Sequence, residues 1–448
     1  MRALGSGTLA RIEKGEMVIG MPNLDPLKCD LLVIGRGMAG MAAALFAANK
    51  GLSTVQVGMT GEIVFASGLL DLMGVYPIEE KKVWQDPWAA IDSVVGDLPD
   101  HPYAHLAKDE INASFVEVLS FLQKEGLTYC REEKYNSRMI NPWGKTKVTY
   151  CVPKSMWSGV KALPKKPPCL IVGFRGLSDF SARQIVETLR HQWPKLRAAQ
   201  IPFPDTSHVK EIFTGDILAQ SLELSINRKK LIESLRKRVK DAEVIGLPAV
   251  LGMHHTDEII SDLEEQIGVP VFEIPTPPVS VPGLRLNEAF IRGLSAKGVK
   301  QFPQNQVVKV RRVKGEEFVA IIGHKPVQHT LLTKGIILAS GRFWGRGLYA
   351  DRHRIRETIF DLPVYQPENR DKWHSDDLLE SGGHAINLAG VEIDHLFRPL
   401  DSSGHPLFHT LFAAGSILAH HDWMRMKCGS GVSIASAYGA VKASLRLA

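Results

Sequence analysis

Cysteine is scarce in this chain and scattered. Its 448 residues include five, Cys29, Cys130, Cys151, Cys169 and Cys428, and no two stand at CxxC spacing. That odd, dispersed set argues against a disulfide framework and against an iron–sulfur cluster ligated in the usual clustered way; it fits reduced thiols in the cytosol. Long apolar runs are also missing. No stretch approaches the roughly 18 to 20 residues of a membrane span, and the longest, residues 38–48 and 410–419, are broken by glycine. No apolar core of a signal peptide stands near the N-terminus, so a cytoplasmic location is expected. Charge imbalance is slight: 54 basic against 48 acidic residues give a net +6. Such a surface suits anionic substrates or an anionic membrane, and without aromatic–basic interleaving or zinc-finger spacing it carries no nucleic-acid signature. No metal site is expected.

What the chain does have is a glycine fingerprint. Asp30-Leu31-Leu32-Val33-Ile34-Gly35-Arg36-Gly37-Met38-Ala39-Gly40 is an apolar run ending in glycines at GxGxxG spacing, followed by an Ala-rich helical stretch. The pattern reads as a buried parallel strand, a tight turn and a helix N-terminus aimed at a phosphate. Gly35 permits the turn, Gly37 admits a pyrophosphate close to the backbone, and Gly40 lets helix and strand pack. Something is absent here too. The second strand of such a unit ends in an acid that holds the adenosine ribose, but this chain has Gly58 there and no acid before Glu62.

Further along, Ser67 and Gly68 offer small residues to a flat ring or simply an ordinary loop. The Pro- and Trp-rich residues 76–105 read as a transition without regular structure. A helix follows over 111–122, then strands within 129–152. Cys169–Phe174 reads as a strand whose following helix is capped by Ser178 or Asp179. The helix over 221–240 carries Arg228, Lys229, Lys230, Arg236, Lys237, Arg238 and Lys240, a solvated face or a docking face. Residues 274–283 read as a rigid linker. A helix over 286–297, a two-stranded layer over 307–322 and a buried strand over 335–342 ending in Ser340 and Gly341 come next. Leu411 to Ser416 forms another strand, ending in Gly415 and Ser416. Gly429, Ser430, Gly431 and Val432 open a last helix, suited to a flavin's pyrimidine oxygens or ribityl chain. The expected fold is α/β: a Rossmann-like flavin-binding domain assembled from separated segments, 30–75, 275–342 and 408–448. An inserted α/β domain occupies 76–274 and a second insertion 343–407. Residues 1–29 read as an arm, either disordered or an over-long start with Met21 as the alternative.

Several stretches together resemble the B subunit of the anaerobic glycerol-3-phosphate dehydrogenases of bacteria. They are the 33–40 fingerprint, Ala66-Ser67-Gly68-Leu69-Leu70-Asp71-Leu72, Pro99-Asp100-His101-Pro102-Tyr103, Gly176-Leu177-Ser178-Asp179-Phe180, Pro275-Thr276-Pro277-Pro278, Leu338-Ala339-Ser340-Gly341 with Gly347-Leu348, Phe412-Ala413-Ala414-Gly415-Ser416 and Cys428-Gly429-Ser430-Gly431. The resemblance implies a flavoprotein subunit that pairs with a catalytic partner, the A subunit. An iron–sulfur C subunit would hold the pair at the inner face of the cell membrane. It implies oxidation of sn-glycerol 3-phosphate to dihydroxyacetone phosphate, with electrons passed to quinone. It favours FMN, and Gly58 agrees, whereas the glycine turn suits the pyrophosphate of FAD. No histidine lies in 63–72, so the flavin is expected to be non-covalent. Candidate substrate cations are Arg175, Arg342, Arg346 and Arg398, and His421 is the candidate base. Two other roles stay open: an electron-relay or assembly subunit beside the catalytic partner, and a fumarate-reductase-like dehydrogenase of another small anion.

Overall fold

The computed structural model describes residues 26–59, 61–204, 212–324 and 327–447. In chain order the principal elements are β1 (Leu27–Ile34), α1 (Met38–Asn49), β2 (Thr54–Gly58), α2 (Lys108–Lys124), β3 (Cys169–Phe174), α3 (Ala182–Leu189), β4 (Leu196–Ile201), α4 (Ser225–Val239) and β5 (Val244–Pro248). Then come α5 (Thr256–Ile267), β6 (Val271–Ile274), α6 (Val281–Ala296), β7 (Lys300–Pro303), β8 (Val307–Arg312), β9 (Phe318–His324), β10 (Val327–Leu338), β11 (Leu411–Ala413) and α7 (Gly429–Ser444).

The last four residues of β1 are buried on both faces, as a parallel strand covered by two layers requires. β1 pairs in parallel with β2 and β10, β7 adds beyond β2, and β11 joins the end of β10. β10 serves two layers. Residues 327–333 pair antiparallel with β9, which pairs with β8, while Ile336–Leu338 pair in parallel with Leu411–Ala413. On one face lie α1 and α7. Small residues over 39–47 let α1 be buried on all sides, wedged between sheet and α7, with Phe46 edge-on to Tyr438 at 5.2 Å. Ile111, Phe115, Val118 and Leu122 of α2 join the same core.

A second sheet, β6–β5–β3–β4, is wholly parallel and has its own core around Phe174, Trp193 and Phe272. A buried ion pair ties it to α6: Arg285 reaches Glu273 of β6 at 2.7 and 2.9 Å and donates Nε–H to the Gly252 carbonyl at 2.8 Å. Glu273 also accepts the Leu251 N–H at 2.7 Å. Each charge is therefore held by several hydrogen bonds, the condition for burying it.

The α/β fold with parallel sheets is as expected, but several local readings are corrected. Residues 87–97 are helical, because Pro87 suits a first helical turn and Asp86 accepts the N–H of Trp88 and Ala89. α3 begins at Ala182, capped by the Ser181 Oγ on the Gln184 N–H, not by Ser178 or Asp179. The linker ends early, since Ser280 caps α6 and Pro282 sits in its first turn. β10 starts at Val327 and stops at Leu338, which leaves Ser340 and Gly341 in the loop beyond it. Residues 27–29 of the arm belong to β1, and the arm before residue 26 lies outside the described residues. On α4, Arg228 pairs with Asp262, and Arg236 bonds Gln266, so part of its basic face is spent on α5.

Candidate functional site

The C-terminal ends of β1, β10 and β11 meet where an open α/β sheet receives ligands. Gly35 has φ +133°, and a Cβ there would stand 2.0 Å from the Ala339 carbonyl oxygen. A Cβ on Gly40 would stand 2.2 Å from the Gly35 carbonyl oxygen, which is the close helix–strand packing the spacing demands. A Cβ on Gly37 would meet nothing within 4 Å. Gly37 is also the N-cap of α1, with no side chain satisfying the first N–H groups. The turn therefore presents free donors and open space, a cradle that fits a phosphate.

Most of the expected contact residues gather here. Gly415, at φ +82°, packs on Ala39, where a Cβ would come within 2.4 Å. Met38 starts α1 beside it. Gly341, at φ +72°, lies beside Ser416 and Glu62. The Ser340 Oγ is buried and has no protein partner. Two residues join that the sequence did not single out for this role. Ser433 on α7 faces Gly415, and Glu62 receives a hydrogen bond from the Gly345 N–H. Burial raises the Glu62 carboxyl above its ordinary range, with Arg342 opposing.

Other expected residues are positioned by packing. Gly68, at φ +81°, abuts Pro282, with Ser67 half-buried beside it. Gly431 donates its N–H to the Asp71 carbonyl at 2.8 Å, and a Cβ there would strike the Tyr103 hydroxyl at 2.0 Å. Gly429 packs on Trp423, Val432 is buried, and Ser430 is half-buried in the same first turn. One donor of the α7 N-terminus is thus already used by the chain.

The arginines separate clearly. Arg342 is buried, and its guanidinium donates to the carbonyls of Ser416 (2.6 Å), Asn387, Leu418 (2.9 Å) and His421 (3.0 Å). It knits loops and is not a free clamp. Arg398 is held by Asp394 at 2.6 and 2.9 Å and touches His409. Arg175 and Arg346 are exposed, Arg346 at φ +60°.

His421 is wholly buried. Both hydrogens of the nearest Arg342 nitrogen go to carbonyls, so the His421 Nδ1–H donates to the Ala419 carbonyl at 3.1 Å. Its Nε2 is left as an acceptor with no protein partner. Edge-on at 6.0 Å stands His101, also wholly buried. Its Nδ1 accepts the Tyr103 N–H at 3.2 Å, so Nε2 carries the proton and likewise lacks a protein partner. Burial keeps both rings neutral. His101 is pushed down to about 3, and His421 well below the usual histidine range, by burial and then Arg342. The pair offers one acceptor and one donor. His101 stands out in sequence only as part of a matching stretch; its neighbour His421 lies far along the chain.

The family model described as "FAD binding domain" matches residues 30–432. The probable anaerobic glycerol-3-phosphate dehydrogenase B subunit of Halobacterium salinarum is 31% identical over 435 residues, covering 92% of this chain and 97% of that one. This chain belongs to the family of anaerobic glycerol-3-phosphate dehydrogenase B subunits. Another member, the B subunit of Pectobacterium atrosepticum, is 27% identical over 417 residues with the same coverage of both chains. Among solved structures, a 3-ketosteroid Δ1-dehydrogenase from Sterolibacterium denitrificans covers 94% of this chain and all of its own, at 11% identity and TM-score 0.43. As a member of this B-subunit family, the chain is a flavoprotein oxidoreductase. Among the described residues, no helix is long and apolar enough to cross a membrane.

Proposed function

We propose that this chain is the flavin-bearing B subunit of a glycerol-3-phosphate:quinone oxidoreductase. It works beside a catalytic A subunit and an iron–sulfur C subunit that holds the complex to the membrane. What supports the substrate is the name its relatives carry; what supports the chemistry is the pair of unpartnered Nε2 atoms on His101 and His421. A secondary alcohol needs one acceptor for its proton and one donor for its oxygen, and these two atoms supply them. The bound flavin supplies hydride acceptance. Gly35, Gly37, Met38, Ala39 and Gly40 would hold its phosphate end, and Ser340, Gly341, Gly415, Ser416 and Ser433 its middle.

In this reading His421 takes the hydroxyl proton at Nε2 while the Ala419 carbonyl fixes the tautomer. His101 donates to the substrate oxygen as it becomes a carbonyl. Arg342 holds the 416–421 loop in place and disfavours a charged His421, so the base works when an anionic substrate lies against it. Exposed Arg346 is the available phosphate cation, whereas Arg398 would first have to leave Asp394.

The test is anaerobic reduction of the purified chain's flavin spectrum by glycerol 3-phosphate, in wild type and His421→Gln. Bleaching in wild type and a rate lower by about 100-fold or more in the variant is the expected result. Equal rates would remove His421 from the chemistry. A relay or assembly role has an observation of its own: the α7 N-terminus is partly closed by Asp71, and both imidazoles are sealed from solvent. A flavin bleached only when the A subunit is present would select that role.

A further inference from the structure

A cavity of about 720 Å³ opens where residues 85–193 fold together. None of the glycines and serines gathered at the β1 turn borders it. Its walls are the hairpin of Ser137–Ile140 with Thr146–Thr149, the helix Trp157–Lys165, and the end of α3 with the turn after it. The volume falls within the roughly 300–1,000 Å³ of small-molecule sites. The helix stops at the cavity's edge. Pro164 stands in its last turn, and Lys166 closes it in the left-handed region at φ +53°.

The lining has two chemical halves. Trp157, Val160, Leu163 and Trp193 give an apolar wall. The Trp193 indole N–H is committed to the Pro167 carbonyl at 2.7 Å, so its ring is what remains to be contacted. Around that wall stand Arg138, Lys161, Lys165 and Lys166, all exposed, and none forms an ion pair among the described residues. Glu132 is the one carboxylate on the lining, so four cations face one anion. Ser137 adds an independent observation. It borders the cavity at 4% exposure, and its hydroxyl is buried without a protein partner. A buried hydroxyl in that state is explained by a partner from outside the chain.

We propose that this cavity binds an amphipathic organic anion, an apolar body of aromatic or acyl type that carries one acidic head. The body lies against the two tryptophans, Val160 and Leu163, and the head meets the lysines at the opening. Because these cations have no pair to give up, the head gains them without breaking an existing bridge. A wholly polar anion such as glycerol 3-phosphate would leave the apolar wall bare, and a neutral apolar molecule would leave the cations unused. The site is thus separate from the proposed substrate site and does not rest on the flavin reading.

The full chain as purified is tested by equilibrium dialysis against octanoate and 2-naphthoate, each beside its neutral counterpart, 1-octanol or 2-naphthamide. Saturable one-to-one binding of either anion is expected, about tenfold or more tighter than its neutral counterpart and unchanged by excess glycerol 3-phosphate. The anion that binds identifies the body that fits. Lys161→Glu/Lys165→Glu should weaken that anion by about tenfold or more and leave the neutral counterpart unchanged. Val160→Trp fills the space and should abolish binding of both, with an unchanged circular dichroism spectrum. No saturable binding of either anion overturns the proposal, as does equal affinity for anion and neutral counterpart. These wild-type comparisons need no variant to fold. Displacement by glycerol 3-phosphate would move the anion to the proposed substrate site and overturn the proposal too. Unchanged affinity in both variants would do the same.

Discussion

The chain builds two strand–turn–helix units that look alike in sequence and end differently. β1 runs through Gly35 into α1 within three residues, and α1 has a glycine N-cap with no side chain on its first donors. β3 runs through Gly173 and Gly176 into α3 after a longer loop, and Ser181 caps α3 with its own hydroxyl. One helix keeps its orphan N–H groups available; the other satisfies them internally. A glycine-rich strand end therefore does not by itself make an anion site. The site is made by leaving the helix uncapped and the turn open.

The comparison can be broken in order of size. Gly35→Ala forces a Cβ to 2.0 Å from a backbone oxygen, so it should yield no folded, flavin-loaded protein, read by circular dichroism and flavin absorbance. The equivalent change at Gly173 meets the end of the flexible Gln200 side chain at 2.9 Å and should be tolerated better. The next effect concerns whether the two units depend on each other. Arg285→Met strands Glu273 in the core and should cost about 3–5 kcal/mol in denaturant unfolding, with much of the loss recovered when Glu273→Leu is added. Ser181→Ala should cost about 1 kcal/mol and leave flavin content untouched. Its mirror, Gly37→Ser, should stabilise the flavin-free chain by a few tenths of a kcal/mol and weaken flavin binding, because a cap competes with the phosphate. Unchanged flavin affinity in that variant would sink the uncapped-helix argument.

The smallest effect depends on pH. Asp30, within β1, is held down to about 2 by Lys334 and then by the Ser53 hydroxyl and N–H. A depressed carboxylate stabilises the fold above its unfolded range and loses that contribution as pH falls from about 4 toward 2. Asp30→Asn should flatten that part of the acid-stability curve, by less than about 1 kcal/mol because the pair is partly exposed.

The parts legible in sequence are those with local causes. The β1 turn, the small residues of α1 and the Ala-Ser-Gly and Ala-Ala-Gly-Ser strand ends all reflect backbone crowding that only small residues survive. The cap of α3 is hard to place because Ser178, Asp179 and Ser181 all satisfy the local pattern, and the strand's exit direction chooses among them. Arg342 and Arg398 look like free cations in sequence because nothing nearby announces the carbonyls of 387–421 or reveals that Asp394 is committed. Arg36 reads in sequence only as a spacer between glycines; its burial depends on Gly58 and on Gln301, far along the chain. His101 and His421 acquire complementary tautomers only from bonds made after folding.

β10 has a consequence for how the protein is made. Residues 331–338 can pair with β1 as soon as they leave the ribosome, yet the edge at Ile336–Leu338 waits for Leu411–Ala413. Gly415, Ser416 and α7 come later still. Until residues 411–413 emerge, the sheet stands with one parallel edge open and the cleft at the end of β1 is incomplete. A chain truncated before residue 411 would keep most of its elements and lack the β11 edge and the Gly415–Ser416 side of the proposed site.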